Sequence, residues 1–338
     1  MTPEHLLLKS NFIDVFDASS TPEVLTLAGE LSNRKYYRIL VKKPTQEQIT
    51  PSYVLQAAES FSNPAEHPFL IAQQIFSELG IKVPKIYGVA GQAGWILVED
   101  CEDFFLQHRQ ELVLYRQALD MLYALAKAKG PESCPLSDVL KEAPHWKWSF
   151  DFEKLHAEML HTEKFFVSGL LKEKIPLAEM LAENSHFLSI RPRVLCHRDF
   201  HSRNLLVKND ELFALDFQDA RMGPISYDLV SLLWDPYANL KQGFREILLS
   251  EWKLTLGLNA EIDEEIHRMK IQRLLKAIGS YSSFYLDKGN PSCFSFIEGA
   301  LADSLVSFEA LEAQGILSAK EKKLSRWLKK VQKKVVSL

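Results

Sequence analysis

The rhythm of apolar and polar positions changes near residue 104. Before it, apolar residues come in short runs: Leu25–Ala28, Tyr36–Val41, Tyr53–Ala57, Val83–Tyr87 and Trp95–Val98. Glycine, proline and small polar residues separate them, and such bounded runs predict strands. The last two runs read as a hairpin with Gly88, Gly91 and Gly94 in its turn. No helix follows those glycines, so they are not a dinucleotide fingerprint. A short amphipathic helix is predicted over residues 3–18, from Leu6, Leu7, Phe12, Ile13 and Phe16, and another over 64–79, closed by Gly80.

After residue 104 the period becomes helical. Residues 108–129 place Leu112, Tyr115, Leu119, Leu122, Tyr123, Leu125 and Ala126 on one face, and 150–170 do the same with Phe152, Leu155, Met159, Phe165 and Phe166. Further helices are predicted over 226–235, 240–256, 261–286 and 293–313. The last stretch, 324–335, is amphipathic and basic. It could meet anionic lipid or a partner, but packing of its Leu/Trp/Val face on the domain is favoured. The pattern predicts an α+β protein with a mainly antiparallel strand-rich lobe over 1–103 and a helical lobe over 104–338.

Length and charge narrow the classes. A chain of 338 residues is ample for two cores. A net charge of −4 argues against general nucleic-acid binding. No apolar run reaches membrane-span length, and Met1–Ser20 lacks a cationic start followed by an apolar stretch. Cys101, Cys134, Cys196 and Cys293 form no C-x-x-C pair, which points to reduced thiols in a cytoplasm and to no zinc site. Oligomeric state does not follow from the sequence.

The chemistry concentrates in Val194–Val207 and Leu212–Asp219, where apolar strands flank a polar loop. The loop spells His197-x-Asp199-x-x-x-x-Asn204, and Asp216 follows twelve residues later. That spacing is the phosphoryl-transfer arrangement of kinases. Asp199 is the candidate base for an attacking hydroxyl. Asn204 and Asp216 offer oxygen ligands to Mg²⁺, which takes one or two carboxylates plus phosphates. Loop capping is the bland alternative, and it requires three spaced residues and two flanking strands to agree by accident.

Other features are weaker. His197 and His201 are four apart but lie on a loop, outside an H-E-x-x-H helix, so a zinc site is disfavoured and His197 is expected to brace the loop. Cys196 ends an apolar strand, so a buried structural thiol is favoured over a nucleophile. The stretch Gly29–Lys35, with Ser32, Asn33, Arg34 and Lys35, suits a loop over nucleotide phosphates, yet with one glycine it reads equally as an ordinary hairpin turn. No P-loop motif is present. The acidic run Glu99–Asp103 follows a strand, where a two-lobed kinase has its linker; Glu99 and Cys101 would then face the adenine edge, and a solvated turn is the alternative.

These residues resemble the aminoglycoside phosphotransferase/choline kinase superfamily. Cys196–Leu205, Asp216–Ala220, Gly223-Pro224 and Tyr227–Leu233 are similar to the anomeric amino-sugar kinases of cell-wall recycling, and the similarity extends to Gly29–Arg38, Phe150-Asp151 with Glu158, and Gln272–Lys276. The resemblance implies a protein-kinase-like fold, ATP and Mg²⁺ as cofactors, and a small-molecule acceptor: the C1 hydroxyl of N-acetylmuramate or N-acetylglucosamine. Glu158, Gln218, Asp219 and Arg221 would wall the sugar pocket, and Arg203 or Arg221 would meet a lactyl carboxylate. There is one departure. The superfamily's third-strand lysine is replaced by Gln56, and the next helix offers Gln73 and Gln74 where a glutamate is usual. Arg34 and Lys35 are expected to supply the phosphate charge, with Lys42 or Lys43 next in line. Kinases for choline, an aminoglycoside or another small alcohol, and a non-catalytic nucleotide-binding protein, remain alternatives.

Overall fold

A computed structural model describes residues 21–27, 35–42, 52–57 and 59–335. The helix expected over 3–18 lies outside them, as do Ser32, Asn33, Arg34 and Lys43. The chain divides into two compact units: residues up to Phe104 together with Leu206–Gln218, and Phe105–Leu205 together with Asp219–Leu338.

The first unit is built on a five-stranded antiparallel sheet. Its strands are β1 (Thr21–Leu27), β2 (Tyr36–Lys42), β3 (Ser52–Ala57), β4 (Ile86–Ala90) and β5 (Trp95–Glu99), in the order β1-β2-β3-β5-β4. Alternation decides which side is dry. Ile39 and Val41 of β2, Leu55 of β3 and Leu97 of β5 form one buried cluster, and Leu55 stands directly opposite Leu97. Helix α1 (Pro68–Glu78) buries Phe69 and Phe76, whose rings lie 5.0 Å and 5.5 Å from that of Phe217.

Segment 206–218 belongs to this unit, whereas the sequence pattern grouped it with the helical part. Its hairpin of β7 (Leu205–Lys208) and β8 (Glu211–Ala214) explains why: Ala214 N donates to Lys82 O, and Val207 N donates to Phe104 O. The β4–β5 hairpin also differs from expectation. Pro84, which has no N–H to give a ladder, stays outside, and β4 starts at Ile86. Gly88 sits in β4 beside a register shift, and the turn is confined to residues 91–94.

The second unit is helical. Its longer helices are α2 (Leu112–Lys127), α3 (Phe152–Thr162), α4 (Ser226–Leu233), α5 (Gln242–Thr255), α6 (Glu261–Lys288), α7 (Cys293–Ala313) and α8 (Ala319–Val335). The predicted helix over 108–129 is shorter, because a separate turn at Leu106–His108 precedes it. The one over 150–170 changes character and continues as a π-helix from Glu163 to Leu170. Met159, Phe166, Ile271, Leu275, Ile278, Ile297, Leu301 and Phe308 are all buried in one core. The basic terminal helix α8 joins it through Leu324, Leu328, Val331 and Val335, so its apolar face is spent on packing. Each such burial stabilises by roughly 1.5–3 kcal/mol.

A two-stranded ribbon of β6 (Arg193–Cys196) and β9 (Arg221–Pro224) crosses this unit antiparallel. Residues 148–150 run along its β9 edge, where Met222 N donates to Trp148 O and Phe150 N donates to Met222 O. Gly223 permits the closeness: a Cβ there would stand 2.6 Å from the Phe150 ring and 3.0 Å from Cys196 Sγ.

Candidate active site

The polar loop leaves β6 at Cys196, and two buried carboxylates fix its backbone. Asp228 of α4 accepts from His197 N at 2.5 Å and from Arg198 N at 3.0 Å. Asp235 accepts from Ser202 N at 2.8 Å and from the Ser202 hydroxyl. Arg198 has φ +84°, the left-handed region that a residue with a long side chain adopts only when its surroundings impose it. The two Asp228 bonds hold the N–H groups that lead into that bend. His197 is fully buried with its ring edge-on to Phe200, in keeping with a bracing role. Cys196 is buried too, and burial pushes its thiol well up, so it is no nucleophile.

Asp199, the candidate base, stands among three cations. Lys276 Nζ lies 3.1 Å from Oδ1, Arg273 Nη1 3.8 Å from Oδ1, and Arg198 Nε 3.7 Å from Oδ2. Burial alone would raise this carboxyl; Lys276, Arg273 and Arg198 overcome it and hold the group well below the usual carboxylate range. Asn204 donates from Nδ2 to the Asp199 carbonyl at 2.9 Å, which orients the amide with its nitrogen toward the loop.

Around Asp199 the second unit gathers further polar groups. Arg198 Nη1 pairs with Asp219 Oδ2 at 2.7 Å. Arg273 donates to the Tyr227 hydroxyl at 3.1 Å, and Gln272 Nε2 to Glu158 Oε2 at 3.2 Å. Gln272, Arg273 and Lys276 sit within one turn or so of α6, so the helix brings them to one side. The Gln272–Glu158 contact depends on a close approach of α3 and α6. Gly279 creates it: a Cβ there would stand 2.5 Å from Thr162 Oγ1, and Thr162 itself donates to Leu275 O at 2.9 Å.

The sequence candidates therefore separate. Asp199, Glu158 and Asp219 share this environment, and Arg221 lies close enough for the Arg198, Asp219 and Glu158 charges to act on it. Arg203 is engaged elsewhere: its guanidinium lies 3.9 Å from the Tyr237 ring centre, and Nε donates to Gln107 Oε1 at 3.0 Å. Arg273, Lys276, Tyr227 and Asp228 were missed as site residues. The available signal was the polar Gln272-Arg273…Lys276 set interrupting the apolar face of a predicted helix, and it names no role by itself.

In the first unit, Asp216 has φ +62° and accepts from Gln218 Nε2 at 2.7 Å, so Gln218 serves that carboxylate. The acidic run is more than a solvated turn. Arg38 of β2 grips Asp100 at 2.6 Å and 2.9 Å and Asp103 at 2.5 Å and 2.8 Å. Lys208 binds Glu99 Oε1 at 3.0 Å and Asp100 O at 2.8 Å. Burial pushes the Cys101 thiol up to about 12. Gln56 on β3 is buried, and Gln73 is spent on Ser77 and Pro84 O. Lys35 is exposed just before β2.

The sequence profile of the phosphotransferase enzyme family, APH, matches residues 23–263. The chain belongs to that family. It is accordingly a small-molecule kinase, a phosphotransferase acting on an alcohol group. An N-acetylmuramate/N-acetylglucosamine kinase of Neisseria meningitidis serogroup B is 28% identical over 244 residues, covering 66% of this chain and 69% of that one. A protein of the same name from Pseudomonas aeruginosa is 26% identical over 261 residues, covering 70% and 73%. Among solved structures, a putative aminoglycoside phosphotransferase from Ralstonia eutropha superposes with a TM-score of 0.60 at 12% identity, over 89% of this chain and 96% of that one, a likeness of fold. No helix among the described residues is long and apolar enough to cross a membrane.

Proposed function

We propose that this phosphotransferase moves the γ-phosphate of ATP to the anomeric C1 hydroxyl of N-acetylmuramate or N-acetylglucosamine. The observation that carries the reading is the ring of Lys276, Arg273 and Arg198 around Asp199. A carboxylate so stabilised as an anion is a weak base. A hemiacetal hydroxyl is more acidic than an ordinary alcohol, so it asks less of that base. The charges also speak against a cationic acceptor such as choline or an aminoglycoside. Arg198, Arg221, Arg273 and Lys276 bring four cations to these surroundings, beside the carboxylates Asp199, Asp219 and Glu158 and the buried Asp228, whose carboxyl burial raises to about 7. The names of the two bacterial relatives point to the same acceptors.

In this mechanism Asp199 accepts a hydrogen bond from the attacking hydroxyl, orients it and takes its proton as the bond to the γ-phosphorus forms and the bond from that phosphorus to the β,γ-bridging oxygen breaks, releasing ADP. Asp228 and Asp235 keep the loop in place while this happens, so catalysis rests on positioning. Asn204 and Asp216 are the proposed Mg²⁺ ligands. Their chemistry fits: both offer oxygen donors, and Asn204, whose nitrogen is tied to the Asp199 carbonyl, has its amide oxygen left to give. Bound with the nucleotide, the ion neutralises phosphate charge. Arg34 and Lys35, with the backbone of Ser32 and Asn33, are proposed to meet the phosphates, and the Glu99–Cys101 backbone to meet the adenine. Four buried free thiols favour a reducing, cytoplasmic setting.

An ATP-consumption assay tests the reading. The acceptors are the two amino sugars, their 1-O-methyl glycosides, choline, an aminoglycoside and homoserine. Turnover is expected with the free sugars and not with the glycosides, whose C1 oxygen is blocked. Equal turnover of the glycosides, or turnover of choline or homoserine alone, rejects it.

A further inference from the structure

A cleft of about 390 Å³ opens in the second unit. Lys147, Trp148, Asp151, Lys154, Asp219 and Arg221 line it. The ribbon geometry explains its position. Arg221 opens β9 directly opposite Cys196, the last residue before the catalytic loop, and Trp148 lies on the other side of β9. Asp219, one wall of the cleft, is paired with Arg198, whose Nε is 3.7 Å from the Asp199 carboxylate. The cleft therefore adjoins the reacting carboxylate through two side chains.

Its charges are unevenly satisfied. Both lining carboxylates already have work: Asp151 caps α3 by accepting from Lys154 N at 2.8 Å, and Asp219 holds Arg198. The three cations do not. Among the described residues, Lys147, Lys154 and Arg221 form no ion pair within 4.0 Å; Arg221 donates from Nε to Asp219 O at 3.2 Å and lies 5.4 Å from the centre of the Phe150 ring. Burial and the neighbouring Arg198 act against the protonated form of Arg221, and Asp219 and Glu158 only partly offset them. Trp148 adds an apolar wall, which suits the C–H face of a sugar ring.

We infer that this cleft receives a carboxylate-bearing substituent of the acceptor, with Arg221 and Lys154 as its specificity-determining cations. The inference rests on the amino-sugar reading and deepens it. The lactyl ether of N-acetylmuramate carries a carboxylate that N-acetylglucosamine lacks, so the cleft distinguishes the two sugars. A guanidinium also suits a carboxylate geometrically, since two parallel N–H groups meet its two oxygens.

The test is a specificity ratio. For each enzyme, kcat/KM for N-acetylmuramate is divided by kcat/KM for N-acetylglucosamine. Arg221→Met and Lys154→Met are each expected to lower the ratio at least tenfold. An unchanged ratio in both variants overturns the inference, because a merely structural change affects both sugars alike. A measurement on the wild-type chain covers the case of a variant that fails to fold: converting the lactyl carboxylate to its neutral amide is expected to raise KM tenfold or more, and an unaltered KM rejects the cleft. Should the wild type turn over neither sugar, the acceptor reading fails, and calorimetry with N-acetylmuramate decides the cleft. Binding that Arg221→Met abolishes supports it; no binding rejects it.

Discussion

Lys276 Nζ stands 3.1 Å from Asp199 Oδ1, although 77 positions separate the two residues. The pair is not a simple mutual stabilisation. Burial, with Arg273 beside it, lowers Lys276, while the cations together lower Asp199. Three positive groups surround the one carboxylate of Asp199 and hold it ionised. Its folded-state pKa is depressed, so its ionised form contributes stability above the ordinary carboxylate range, and that contribution is lost as pH falls through the folded value. Lys276→Met removes the nearest cation. The acid limb of kcat/KM against pH is expected to move upward by about one unit or more, with kcat reduced, and Lys276→Arg to restore most of the shift. A pH profile in which the acid limb of Lys276→Met coincides with wild type would disprove the coupling.

Asp228 is the next test, because it touches the Asp199 loop only through backbone. Asparagine in its place keeps one oxygen but turns an N–H group toward a loop donor. Stability is expected to fall by about 1–3 kcal/mol, and kcat is expected to fall more than KM for ATP rises. Burial raises the Asp228 carboxyl to about 7, against the pull of the His197 and Arg198 N–H groups. A raised folded pKa means a stabilising contribution that is complete below the unfolded value near 3.8 and lost as pH climbs to about 7. Urea unfolding of wild type and Asp228→Asn should thus show a gap that is wider at pH 5 than at pH 8. A gap that widens with pH would show that the two N–H groups outweigh burial.

Gly279 carries the approach of α3 to α6. Alanine there meets Thr162 Oγ1 at 2.5 Å and, less forgivingly, Thr162 Cα at 2.8 Å. The helices must separate, at a cost of about 1–3 kcal/mol. The separation also pulls Gln272 from Glu158 Oε2, so acceptor KM is expected to rise while ATP KM holds. Thermal unfolding and steady-state kinetics read the two effects, and a Gly279→Ala enzyme with wild-type Tm would show that the interface yields elsewhere.

How much of this was legible beforehand follows from what each signal depends on. The spacing of Asp199, Asn204 and Asp216 pointed to the family because it is local and sits between two apolar strands. The strands β2, β3 and β5 were readable because their alternation is local too. Lys276, Arg273 and Asp228 reach the loop from helices α6 and α4, and their contacts depend on packing that no short window records. The assignment of 206–218 to the first unit is similar, since it rests on Lys82 O and Phe104 O, more than a hundred residues away. The π-helical turns after Thr162 follow an ordinary amphipathic pattern, and periodicity alone cannot tell them from an α-helix. Arg203 was offered for a substrate carboxylate on charge alone; the structure lays it on Tyr237.

The phosphate end of the nucleotide gives the last prediction. ATP brings several negative charges, yet β3 carries Gln56 where a lysine is usual, and Gln73 is bound to Ser77 and Pro84 O. Arg38 of β2 is already committed to Asp100 and Asp103. Lys35 is exposed just before β2, and Arg34 precedes it in the sequence. Replacing both with alanine is expected to raise KM for ATP about tenfold and to lower kcat, because phosphate charge must be met more fully as the transferring group loosens. The KM for the sugar should change little, since the proposed acceptor contacts lie in the second unit. Unaltered ATP parameters in the double variant would mean that the phosphates are held by other groups, with Lys42 and Lys43 the next to replace.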